Sequence, residues 1–190
     1  MIGGGIVATL ITAVVVIKKC LKSPGDTIIA AARKYVGIRE VGDNGGWDNA
    51  AFQDKMKSVG WYVGGQWCAF FVMMIMQEIS KGKAKEFFKK TLHCNTQQMW
   101  KNLQTPSPYH EVSQTPSKGA LIIYQGVSNP NQGHVEIYVD KAKDGGFNII
   151  SGNSGFATGG GQGVVEKHRP ASGLGSGYKI LGYIKIKKLK

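Results

Sequence analysis

Residues Cys68–Ile79 read Cys-Ala-Phe-Phe-Val-Met-Met-Ile-Met-Gln-Glu-Ile, a run apolar almost throughout. It follows a loop at Gly60–Gln66 that carries Trp61 and Tyr62. A helix with no polar face must be covered on every side, so this one is expected at the centre of the domain, packed against a sheet. Other helices are predicted around it. One runs from Asp26 to about Val36, capped by Asp26 and stopped by Gly37, with Ile28, Ile29, Ala32 and Val36 on one face. A second runs from Asp48 to about Val59 with Ala51, Phe52 and Met56 inward. Lys81–Lys90 and Thr96–Leu103 read as two more.

From Ala120 the period changes to that of strands. Ala120–Tyr124, Gly133–Asp140, Phe147–Ser151, Gly163–His168 and Tyr178–Lys187 alternate with turns such as Asn129-Pro130, Asp144-Gly145-Gly146 and Gly159-Gly160-Gly161. Helices first and strands second predict an α+β domain, its N-terminal helices packed on a C-terminal antiparallel sheet.

The first segment is different. Met1–Ile17 carries no charge and is followed by Lys18, Lys19 and Lys22. As a helix it would span about 26 Å, just under the roughly 30 Å hydrocarbon core of a bilayer, and lysine stems can cover the gap by snorkelling. We read residues 1–22 as a single-pass N-terminal membrane helix with a basic flank. Ser23-Pro24-Gly25 reads as a linker, and residues 23–190 as the folded domain. A cleaved signal peptide fits poorly, because no basic region precedes the apolar run.

The net charge of +12, from 24 Lys and Arg against 12 Asp and Glu, favours polyanionic surroundings. No Arg-rich element or nucleic-acid motif accompanies it, so specific nucleic-acid binding is not expected. The three cysteines, Cys20, Cys68 and Cys94, are too few and odd in number for a disulfide framework. Cys94 follows His93, but the other ligands of a zinc site are missing.

Cys68 opens the apolar helix, where unpaired N–H groups and the helix dipole favour a thiolate. His134 begins a predicted strand after Gly133, whose lack of a side chain leaves room beside the imidazole for substrate or backbone. Asn153 follows the next strand, placed to hold the imidazole in one tautomer. Ser151 and Glu136 are reserve candidates for that role, and Glu136 shares a strand face with His134. Gln66 stands two residues before the thiol and is a candidate to join the Cys68 N–H in stabilising an oxyanion. His93, His110 and His168 have no comparable setting.

These blocks together resemble the CHAP family of cysteine amidases and peptidases, within the papain-like cell-wall hydrolases. The matching pieces are Gly37-Ile38-Arg39-Glu40, Asn44-Gly45-Gly46, Gly65-Gln66-Trp67-Cys68-Ala69-Phe70-Phe71-Val72, Pro116–Tyr124, Gly133-His134-Val135 and Gly152-Asn153. The resemblance covers roughly residues 26–185. It implies a papain-like fold, a peptidoglycan substrate, and a Cys68–His134–Asn153 site for thiol acyl transfer, with Trp67 and Asn44 near the substrate. Some members have Glu two residues before the Asn, where this chain has Ser151. Some bind calcium through an acidic loop. Asp43, Asn44 and Asp48 do not have that spacing, so neither metal nor cofactor is expected. A compact anchored enzyme of this kind suggests a phage or virion-associated lysin, at the bacterial envelope or in the membrane of a virion. Because the positive charge lies on the C-terminal side of Met1–Ile17, the positive-inside tendency would keep the domain cytoplasmic. A virus with an internal membrane would reconcile the two. The alternative is a non-enzymatic, membrane-anchored structural or wall-binding module of the same fold.

Overall fold

The computed structural model describes residues 22–190. Five helices come first: α1 (Pro24–Arg33), α2 (Ala50–Ser58), α3 (Cys68–Ile79), α4 (Gly82–Thr91) and α5 (Thr96–Asn102). Six strands follow: β1 (His110–Ser113), β2 (Leu121–Gly126), β3 (Gly133–Lys141), β4 (Phe147–Gly155), β5 (Gln162–Arg169) and β6 (Tyr178–Ile186). They form one antiparallel sheet in the order β1-β6-β2-β3-β4-β5. The α+β architecture is as expected. The predicted membrane helix at residues 1–17 lies outside the described residues, and among the described residues no helix is long and apolar enough to cross a membrane.

α3 has the predicted limits and is the centre of the domain. Eight of its twelve residues are buried. Its side chains meet α1, α2, α4 and the faces of β3 and β4. Phe71, Ile75 and Met76 have no exposed surface, and burial of such side chains stabilises by about 1.5–3 kcal/mol each. On the helical side the sheet contributes Leu121, Ile123, Val135, Ile137, Ile150 and Ile184 to this core. Its opposite face carries a smaller one, built on Tyr124, Ile122, Tyr138, Ile149 and Tyr183.

Three local expectations are corrected. The cap of α1 is Ser23, not Asp26. Ser23 Oγ accepts from the Asp26 N–H at 3.0 Å and donates to Asp26 Oδ2 at 2.7 Å, while Pro24 occupies the first turn. Ser23-Pro24-Gly25 therefore starts a helix rather than linking, because proline needs no donor there and its φ is already helical. α1 stops at Arg33, and Val36 is left exposed beyond it. β1 is a strand that the sequence periodicity did not show; it forms because His110–Ser113 finds an open edge on β6.

Candidate active site

The helix that carries Cys68 starts from a rigid base. Trp67, just before α3, has no exposed surface, and its indole N–H donates to Glu40 Oε2 at 2.6 Å. Its ring meets Trp47 edge-on at 4.9 Å. The other Glu40 oxygen accepts from the Asn44 N–H at 3.1 Å, and the Asn44 carbonyl accepts from the Gly64 N–H at 2.8 Å. The Gly37–Glu40 and Asn44–Gly46 blocks thus brace the loop leading into Cys68. This corrects one expectation: Trp67 is a buried brace with no face to offer a substrate. Asn44 is a turn residue at φ 58 whose backbone ties two loops together, and its Oδ1 is buried without a hydrogen-bond partner.

Cys68 is 6% exposed. Burial pushes its thiol up, but the charge and hydrogen bonding of His134, with the backbone N–H groups of Val135 and Ala69, outweigh it and bring the thiol below its ordinary value. His134 mirrors this. Burial pulls its imidazole down, but the charges of Cys68 and Glu136 raise it above the usual histidine range. Both shifts favour the thiolate–imidazolium pair, the reactive state of a thiol nucleophile.

The far side of the ring is held by its neighbours on the sheet. His134 Nε2 lies 2.9 Å from Ser151 Oγ and 3.5 Å from Glu136 Oε1. Ser151 Oγ donates to the Gly152 carbonyl at 3.2 Å. Its proton is thus committed, so it accepts from Nε2–H, which leaves Nδ1 as the nitrogen for Cys68. Glu136 is fully buried. It accepts from Arg169 Nε at 3.1 and 3.2 Å, from Arg169 Nη2, and from the Tyr124 hydroxyl at 2.9 Å. Burial pushes its carboxyl up, but His134 and Arg169 hold it well below the usual carboxylate range. Burial and the Glu136 charge push Tyr124 up, so its hydroxyl stays a donor.

Of the predicted residues, the structure brings Cys68, His134, Ser151 and Glu136 together. Asn153 sits at a bulge of β4, at φ 54, where the pairing with β5 shifts between Ser151 and Ser154. It lines a cavity beside His134, its Oδ1 buried without a hydrogen-bond partner. A strained, unpaired polar group of this kind is typical of a working site. Nε2, however, is held by Ser151. Gln66 is exposed beside the start of α3. The space at Gly133 is taken by α5, since a Cβ there would stand 2.2 Å from Thr96 Oγ1 and Gln97 Nε2. Among the described residues no group of three or more His, Cys, Asp or Glu converges to hold a metal ion. Sequence reading missed Arg169, Tyr124 and Glu40. Only the strand alternation at Glu136 hinted that a buried carboxylate needed a cation.

A cysteine at a helix N-terminus beside a strand-borne imidazole is the arrangement that thiol-dependent hydrolases use. The CHAP domain family model matches residues 58–153, from the end of α2 to Asn153. The chain belongs to the CHAP domain family. Comparison with curated proteins and with solved structures gave no match.

Proposed function

We propose that this protein is a peptidoglycan hydrolase that cleaves an amide bond, either the muramoyl–alanine amide or a bond of the stem peptide or cross-bridge. The observation that carries this reading is the placement of Cys68 at the start of α3 beside His134, on a ring whose other nitrogen is tied to Ser151, within the segment that matches the CHAP family. The Cys68 thiolate attacks the amide carbonyl, and His134 gives its Nδ1 proton to the departing amine. Water activated by His134 then hydrolyses the thioester. The Cys68 backbone N–H and Gln66 face the developing oxyanion. Ser151 orients the ring, and Glu136 stabilises its positive charge from within the sheet. Asn153 acts beside this set, at the cavity wall. The +12 net charge helps hold the domain on an anionic wall.

Mass spectrometry of peptidoglycan digested with the full chain tests this and identifies the bond cut. New amine and carboxyl ends at one bond type are expected, and none with Cys68→Ala. Wall clearing that survives Cys68→Ala would reject the thiol mechanism, and wall binding by the wild type without new ends would favour a non-enzymatic wall-binding module. The reading extends to a lysin tethered through residues 1–17. Deleting residues 1–22 then moves the protein from the membrane to the soluble fraction, and an unchanged fractionation rejects the tether.

A further inference from the structure

A cavity of about 280 Å³ opens beside His134 on the sheet face away from the helices. Asn153 and Ser154 of β4, Lys167 and Arg169 of β5, and Leu174 and Tyr178 ahead of and at the start of β6 line it. Lys167 and Arg169 are alternate residues of one strand and so share this face. Their charges have different fates. Arg169 is committed to Glu136 by a two-pronged contact. Lys167 Nζ donates to the Gly155 carbonyl at 2.8 Å, a neutral acceptor that leaves it two donors to spare. No carboxylate lines the cavity among the described residues. Glu166, next in sequence, points to the other face and pairs with Arg33. Burial and the neighbouring Arg169 charge push the Lys167 ammonium below its ordinary range, against a weaker opposing pull from Glu136, whose carboxylate is engaged by Arg169.

We infer that this cavity is a subsite for a free carboxylate of the substrate, bound by Lys167, next to the amide that Cys68 attacks. The inference rests on the hydrolase reading for its choice of anion. Stem peptides carry carboxylates beside their amide bonds, and the cavity is sized for one such side group rather than for a sugar chain. A peptide with that carboxylate converted to a carboxamide loses the charge-assisted hydrogen bond, and with it part of its affinity.

The test is calorimetric binding to the full chain carrying Cys68→Ala, which holds substrate without turnover. The probes are two stem pentapeptides with amidated C-termini, identical except that one internal carboxylate is free or is a carboxamide. The free form is expected to bind about tenfold more tightly. Adding Lys167→Met should bring the two within about twofold, and Lys167→Arg should keep the preference. Equal affinity in the parent, no detectable binding of either peptide, or a preference that survives Lys167→Met overturns the subsite. Hydrolysis of whole peptidoglycan by the wild-type chain is read separately. A carboxylate preference without any hydrolysis would reject the hydrolase reading and keep the subsite.

Discussion

Gly152 lies against Phe71 so closely that a Cβ on the glycine would stand 2.7 Å from the Phe71 Cβ, and 2.8 Å from Trp67 Cζ3. This contact seats β4 on the first turn of α3. It therefore sets how far Ser151 and Asn153, on either side of the glycine, stand from the helix that carries Cys68. Gly152→Ala is expected to force strand and helix apart, at a cost of about 1–3 kcal/mol. For a domain of this size each kcal/mol lowers Tm by about 2–4 °C. Thermal unfolding measures the cost, and a greater fractional loss of kcat than of folded protein would show that the spacing serves catalysis. An unchanged Tm would mean that the contact is not tight.

The hydrogen bond from His134 Nε2 goes to Ser151 at 2.9 Å. Ser151→Ala should therefore lower kcat by about tenfold, the worth of one orienting hydrogen bond, with little change in KM. Asn153→Ala should affect KM more than kcat, because Asn153 lines the cavity rather than holding the ring. Steady-state kinetics on the two variants decides which residue is the third member. The reverse pattern would restore Asn153 to that place.

Glu136 raises the His134 imidazole and is itself paired to Arg169. Glu136→Gln removes a buried negative charge, so the imidazolium becomes easier to deprotonate. In a pH profile of alkylation by iodoacetamide, the basic limb, set by the imidazole, should move down, narrowing the range in which the ion pair exists, while the acid limb, set by the thiol, does not move up. Stability should also fall, by about 3–5 kcal/mol, because Arg169 loses its buried partner. A profile that does not narrow would exclude Glu136 from the site.

Acid stability should depend on a second carboxylate, far from the site. Glu78 is pushed up by burial, but hydrogen bonds from Tyr35, Lys34 and Lys55 outweigh this and hold it at about 2. A carboxyl depressed in the folded state contributes stability that is present above its ordinary range and is lost as pH falls toward 2. Urea midpoints are expected to drop between neutral pH and about pH 3, and Glu78→Gln should shrink that drop. An equal drop in both proteins would place the acid sensitivity elsewhere.

Much of the fold was legible because it is local. The apolar run at Cys68–Ile79 has one workable conformation and one workable place, and the strand period after Ala120 is carried by neighbouring residues. The misreadings fell where a partner distant in sequence decides. β1 exists because β6 offers it an edge. Trp67, an apparent contact residue beside the nucleophile, is buried because Glu40 and Trp47 close over it.

The site divides the same way. Cys68 and His134 could be proposed as partners from sequence, because a helix N-terminus that favours a thiolate and a strand start are local features, and the structure brings the two residues together. Which residue holds Nε2 was open among Asn153, Ser151 and Glu136. Spacing along a strand cannot settle it, because the bulge at Asn153 changes which side chain points at the ring. Arg169 was invisible as a partner, since it meets Glu136 only when β5 pairs with β4 and aligns both on one face. Local physics thus determined the elements that carry Cys68 and His134. The tertiary structure decided the company they keep, because hydrogen bonds and buried charges are satisfied through space rather than along the chain.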